Sequence, residues 1–213
     1  MTHFADLLYD SGVLKFGDFQ LKNGQRSPFF LNFGSLHTGA QLDALGTALA
    51  GVIQSRLPGA CDVVLGPPYK AITMGAVTVT ALWRQYQIDA HFMTFRKESK
   101  THGEGGDFLG HTLRGGESIV LVDDVMTSGQ TKIDAMALLE AEAKRRGLEP
   151  PRFQAVVVGV DRQAPEEGQT AAEAFTRKTG VPVYSVATIR ELVQALESRL
   201  GEREKHLIEE FLC

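Results

Sequence analysis

Asp123 and Asp124 stand side by side after four apolar residues, Ile119–Val122, and ahead of Thr127, Ser128, Gly129, Gln130 and Thr131. The apolar run reads as a short strand buried on both faces, the pattern of a parallel sheet. From Lys132 the chain turns helical, with Ile133, Met136, Leu138 and Leu139 largely on one face. Strand, acidic pair, glycine turn and helix together describe a small-molecule site, because ligands of open α/β sheets sit at the carboxyl ends of strands. A helix start offers unpaired N–H groups and a positive dipole end to a phosphate. Thr127, Ser128 and Thr131 add hydroxyl donors, and Gly129 lets the backbone approach closely. An ordinary βα turn shares part of this pattern, and a receiver domain also opens on a strand with paired aspartates. A receiver, however, needs a full domain of about 120 residues beyond that strand, and only residues 124–213 remain.

A second group of reactive residues lies upstream. Arg96, Lys97, Lys100 and His102 fall within seven residues and precede four glycines, at 103, 105, 106 and 110. No apolar period in 96–110 supports a helix or a strand. A long polar loop with glycine hinges is either a functional lid or plain surface. Gly66-Pro-Pro-Tyr69-Lys70 marks another βα turn, where the prolines stop the strand and fix the loop. Lys22 sits in a Lys-Asn-Gly hairpin signal, followed by Phe29, Phe30 and Leu31.

These residues must be positioned by the elements around them. Residues 2–11 read as a short helix. Segments 13–21 and 27–33 read as a hairpin, a small lid whose phenylalanines could simply pack it. Thr38 caps a helix to about Arg56 with Leu42, Leu45, Leu49, Val52 and Ile53 as its stripe. Strands are expected at 61–65, 88–95, 119–122, 153–160 and 181–186, with helices at 71–86, 132–142, 171–178, 188–196 and 202–211. That alternation predicts right-handed crossovers and a doubly wound, mainly parallel sheet flanked by helices.

Composition narrows the class. A chain of 213 residues fits one domain, here a small N-terminal hood over 1–37 and an α/β core over 38–213 with a mobile loop at 96–110. The net charge of −4 argues against a general nucleic-acid binder. No apolar run approaches the roughly 18 residues of a membrane span, and the first residues lack a signal-peptide pattern. Two cysteines, Cys61 and Cys213, make no disulfide framework and suggest a reducing cytoplasm.

The whole constellation resembles the orotate phosphoribosyltransferases, type I members of the phosphoribosyltransferase family, over nearly the full chain. The resemblance rests on Lys15-Phe-Gly-Asp-Phe-x-Leu-Lys22-x-Gly24, Ser27-Pro-Phe-Phe30, Gly66-Pro-x-Tyr69-Lys70, the 96–106 basic loop, the 119–131 motif and Asp161-Arg162-Gln163, in that order. It implies the type I phosphoribosyltransferase fold and transfer of ribosyl 5-phosphate from phosphoribosyl pyrophosphate to N1 of orotate, in pyrimidine biosynthesis. It assigns catalysis to Lys97, Lys100, His102, Asp123 and Asp124. Phosphoribosyl pyrophosphate would be held by Lys22, Tyr69, Lys70, Arg96, Lys97, Lys100, His102, Asp123, Asp124, Val125, Met126 and Thr127 to Thr131. Orotate would meet Phe30, Leu31, Thr127 and Arg162. No residue is assigned as a metal ligand: Mg2+ is expected on substrate phosphates, ribose hydroxyls and water near Asp123 and Asp124. A homodimer with shared active sites is also implied, with no nucleic-acid or membrane partner. Leu31, Pro68, Ala71, Gln130 and Thr131 depart from residues common in orotate enzymes. A transferase for another nucleobase, or a non-catalytic sensor of phosphoribosyl pyrophosphate on the same fold, therefore remains a competing reading.

Overall fold

The computed structural model describes residues 2–20, 26–96, 108–163, 165–166, 169–202, 204–206 and 208. Helix α1 (Thr2–Asp10) leads into an antiparallel hairpin of β1 (Leu14–Gln20) and β2 (Arg26–Leu31), and a short 3-10 turn, Phe33–Ser35, follows. Then come α2 (Gly39–Arg56), β3 (Val63–Leu65), α3 (Lys70–Tyr86), β4 (His91–Phe95) and β5 (Phe108–Gly110). The second half holds β6 (Ser118–Met126), α4 (Gln130–Arg145), β7 (Arg152–Asp161), the two-residue strands β8 (Pro165–Glu166) and β9 (Gln169–Thr170), α5 (Ala171–Thr179), β10 (Val183–Thr188) and α6 (Ile189–Ala195). Local chemistry sets several boundaries. Thr38, Thr170 and Thr188 each cap a helix through a reciprocal capping box, with Gln41, Glu173 and Glu191 as partners.

The main sheet has six strands in the order β10-β7-β6-β3-β4-β5, all parallel except β5. Its central strands divide their side chains between two cores, as the period of two requires. Val64, Val120, Val122, Ala155 and Val157 join the cluster that contains residues of α1, α2, α3 and α6. Val63, Leu65, Ile119, Leu121, Val156 and Val158 join the one formed with α4 and α5. Runs buried on both faces carry no alternation in sequence, which is why they read as continuous apolar segments. The sheet is therefore doubly wound, as expected. The hairpin packs into the first of these clusters through Leu14, Phe29 and Leu31.

Three expectations need correction. Residues 108–110, expected to lie in a structureless loop, form an edge strand antiparallel to β4, pairing Met93 with Gly110 and Phe95 with Phe108. Phe108 packs edge-on against Phe95, a contact that gives this end of the segment apolar anchorage. The motif strand does not end at Val122: it runs to Met126, because β7 continues to pair with it up to Met126–Asp161. Finally, the buried positions of α4 are Lys132, Ala135, Leu139 and Ala143, while Ile133 and Met136 pack only at the margin. Among the described residues no helix is long and apolar enough to cross a membrane.

Candidate active site

Chain order β3, β4, β6 reverses direction across the sheet between β3 and β6, so their carboxyl ends open on a topological switch point. The two turns singled out by sequence emerge there. Gly66 opens the first. A Cβ at that position would collide with the Ala71 carbonyl, so only glycine lets the start of α3 fold back over the end of β3. Tyr69 follows a cis peptide bond from Pro68 and is 66% exposed.

The second turn begins with the acidic pair. Lys70, at the start of α3, reaches across to Asp124, with Nζ 2.9 Å from Oδ2. Asp123 is engaged from the opposite side by Lys132, which also donates to the Val125 carbonyl at 3.1 Å. Within the pair, the Asp124 amide donates to Asp123 Oδ1 at 2.9 Å, and the Val125 amide donates to Asp124 Oδ1 at 2.9 Å. Each carboxylate thus has its own lysine and its own backbone donor. Burial, then the neighbouring Asp123, pushes the Asp124 carboxyl above the ordinary aspartate range, and Lys70 and Lys132 oppose that rise.

Thr127 and Ser128 are exposed beyond the pair, and Gly129 takes a left-handed conformation (φ +73°) as the N-cap of α4. Thr131 is exposed on the first turn of the helix, and Gln130 is tied to Asp134 at 2.7 Å. Met126 is fully buried in the core with α5. Its side chain is committed to packing, so a ligand there would meet only its main chain. Gly129 is crowded as well as left-handed: a Cβ would lie 2.6 Å from the Phe175 ring and 3.0 Å from the Met126 methyl. Gly180 shares the φ of +73° with nothing within 4 Å. Gly180→Ala should therefore cost about 1–2 kcal/mol of strain, and Gly129→Ala that strain plus roughly 1–3 kcal/mol of overpacking. Urea denaturation of the two variants compares them, and equal losses would mean that Phe175 yields freely.

Arg162 follows the end of β7, where Asp161 pairs with Met126. It donates from Nη2 to Ser27 Oγ at 3.2 Å and lies over the Phe29 ring at 5.0 Å. The hairpin is thereby clamped to the sheet at the site. Burial lowers the Arg162 pKa, and among the described residues its buried Nε has no hydrogen-bond partner. The Nε of Arg96 and the Oε1 of Gln163 are buried in the same state. Phe30 is 43% exposed on the other side of β2 and packs against Phe19, 5.6 Å between ring centres. Leu31, at 8% exposure, belongs to the main core. Ser27 and Phe29, which belong to a motif in sequence but receive no site role there, touch Arg162; a buried serine and a core aromatic look ordinary at those positions. Lys132 was missed too, although its 3-4-4 spacing with Ala135, Leu139 and Ala143 places it on the buried stripe. Lys22, Lys97, Lys100 and His102 lie outside the described residues.

Comparison with known proteins agrees with this geometry. The Phosphoribosyl transferase domain family matches residues 34–158. The orotate phosphoribosyltransferase of Bifidobacterium animalis subsp. lactis is 34% identical over 208 residues, covering 94% of this chain and 87% of that protein. The Pseudomonas putida (strain W619) enzyme of the same name is 36% identical over 196 residues, covering 91% and 86%. In three dimensions the chain resembles the crystal structure of orotate phosphoribosyltransferase from Francisella tularensis, with a TM-score of 0.78 and 29% identity over 98% of this chain and 96% of that one. A doubly wound sheet with an acidic pair and a glycine turn at its switch point, a hairpin clamped by Arg162, and identity above 30% over nearly the full length lead to one assignment: the chain belongs to the orotate phosphoribosyltransferase family.

Proposed function

We propose that the protein transfers the ribosyl 5-phosphate of phosphoribosyl pyrophosphate to orotate, forming orotidine 5′-phosphate and pyrophosphate in pyrimidine nucleotide synthesis. The observation that carries the reading is the acidic pair and 127–131 turn at the switch point, with Arg162 held against the hairpin at the end of the neighbouring strand β7. The bond from ribose C1 to the pyrophosphate oxygen breaks, a bond from C1 to N1 of orotate forms, and N1 gives up its proton. Asp123 and Asp124 bind the ribose hydroxyls and favour the positive charge that gathers on the sugar. The amides and hydroxyls of 127–131 hold the 5-phosphate at the start of α4. Tyr69 and Lys70 hold pyrophosphate, joined by Lys22 from the hairpin. Arg96, Lys97, Lys100 and His102 neutralise the charge that the leaving group acquires. Arg162 presents its planar donors to the orotate carboxylate, with Thr127 and the exposed Phe30 bordering the base and the core-packed Leu31 offering its main chain.

The donor set suits a magnesium ion brought in on the substrate. Asp123 and Asp124 are each engaged by a lysine, and magnesium keeps most of its shell as phosphate oxygens and water. When bound, the ion would neutralise pyrophosphate charge. Loss of orotate absorbance, matched one for one by pyrophosphate release, tests the reading. Both should stop with excess chelator and return with Mg2+; pyrophosphate release without orotate loss would refute it.

The same reading takes the enzyme as a cytoplasmic homodimer whose basic loops close over the neighbouring subunit's site. Lys100→Ala and Asp124→Asn should each be nearly inactive alone. Mixed under conditions of subunit exchange, random pairing gives half mixed dimers with one intact site each. About a quarter of wild-type activity should then return. No recovery despite proven exchange would show that each loop serves its own site.

A further inference from the structure

Lys132 is out of place by every local rule. It lies on the buried stripe of α4 with Ala135, Leu139 and Ala143, and its side chain is 4% exposed. An enclosed ammonium must be desolvated, and replacing such an ion pair by apolar side chains is often neutral or stabilising. Stability alone is therefore a weak reason for a lysine here. Its position supplies another. The ammonium contacts Asp123 Oδ2 and the Val125 carbonyl, on either side of Asp124, while Asp123 Oδ1 accepts the Asp124 amide. Two oxygens carry about four acceptor directions, so both ends of the carboxylate are fixed and two directions stay open. Lys70 differs: its side chain is 51% exposed and holds Asp124 from the rim. A pyrophosphate group can draw Lys70 away. Lys132 is enclosed and stays with the pair.

We propose that Lys132 is a positioning residue for the sugar, holding the Asp123 carboxylate in one rotation so that its open acceptor directions meet the ribose hydroxyls. The inference rests on the ribosyl-transfer reading of the site. It gives the two lysines different roles. Lys70 exchanges the acidic pair for the ligand, and Lys132 keeps the pair in place throughout. It also explains why the first turn of α4 carries both the phosphate-facing Thr131 and an inward cation. One rigid turn then fixes the distance between the 5-phosphate and the hydroxyl-binding carboxylate.

Calorimetry with phosphoribosyl pyrophosphate, ribose 5-phosphate and inorganic pyrophosphate tests this on Lys132→Met, a neutral side chain of similar length. Affinity for the two sugar ligands should fall by on the order of tenfold or more, because a released carboxylate no longer presents a fixed geometry. Pyrophosphate affinity should stay within about twofold, since that ligand makes no use of Asp123. Equal losses for all three ligands, or none, would overturn the proposal and leave Lys132 a packing residue. Asp123→Asn/Lys132→Met covers the case in which the single variant folds poorly, because it leaves neither charge unpaired. Its sugar affinity should match that of Asp123→Asn within about twofold; a further additive loss would show that Lys132 acts independently of Asp123. Orotate turnover by the unaltered protein is followed in parallel. Absence of turnover with ribose 5-phosphate still bound would strike the orotate reading and leave the calorimetry to decide on Lys132. Turnover together with a Lys132→Met protein that binds every ligand normally would strike only the role of Lys132.

Discussion

Lys97→Ala lowers the rate of the chemical step by about a hundred- to a thousandfold, the range observed on removing one donor aimed at developing charge, and leaves affinity for phosphoribosyl pyrophosphate within about threefold. The reasoning is differential. In the bound substrate, pyrophosphate charge is already partly neutralised by its ester bond and counterions. As that bond breaks, the leaving group gains charge, and a cation placed over it does most of its work in the transition state. Lys97 follows Arg96, which is partly buried after the end of β4, its Nε lacking a hydrogen-bond partner among the described residues. Rapid-quench single turnovers give the chemical rate, and calorimetry gives the affinity. A proportionate loss of binding with an unchanged chemical rate would make Lys97 a ground-state ligand only.

Arg162→Lys weakens orotate by roughly ten- to a hundredfold, equivalent to the loss of about 1.5–3 kcal/mol of charged hydrogen bonding, and hardly changes phosphoribosyl pyrophosphate binding. The guanidinium here does several things at once. It lies over the Phe29 ring, donates to Ser27 Oγ, and holds a buried Nε that has no partner among the described residues. Burial lowers its pKa, yet a guanidinium stays charged in proteins. An ammonium carries the charge but cannot offer a planar fork while lying across an aromatic ring. The variant should also loosen the hairpin, because Ser27 loses its donor. Titration with each substrate separates the effects, and equal losses for both would assign Arg162 to clamping the hairpin rather than to the base.

The sequence marks the candidate site where the proposed chemistry needs particular residue types at fixed spacing. Asp123, Asp124 and Gly129 were legible because a strand end and a helix start admit few alternatives, and the structure joins them to the 66–70 turn through Lys70–Asp124. The doubly wound sheet was legible from five apolar runs alternating with helical periods. What escaped depended on pairing across long separations. Phe108–Gly110 carries too short a pattern to announce a strand, and only β4 beside it makes it one. The extension of β6 to Met126 needs β7 as its partner. Lys132 was hidden because a lysine on a helix is usually solvated, and its partly buried partner Asp123 lies on the preceding strand. The hairpin faces were hidden for a similar reason: two adjacent phenylalanines must point oppositely, and only the fold decides that Phe29 meets Arg162 while Phe30 meets Phe19.

Base selection is the centre of the account, because the role proposed for Arg162 is what ties the site to a carboxylated base. The direct measurement offers the protein phosphoribosyl pyrophosphate, Mg2+ and an equimolar mixture of orotate, uracil, adenine and hypoxanthine, and identifies the nucleotides by mass spectrometry at early times. The account predicts orotidine 5′-phosphate as the product, in amounts equal to the pyrophosphate released. A product carrying uracil, adenine or hypoxanthine in preference, or consumption of phosphoribosyl pyrophosphate with no nucleotide formed, would contradict it.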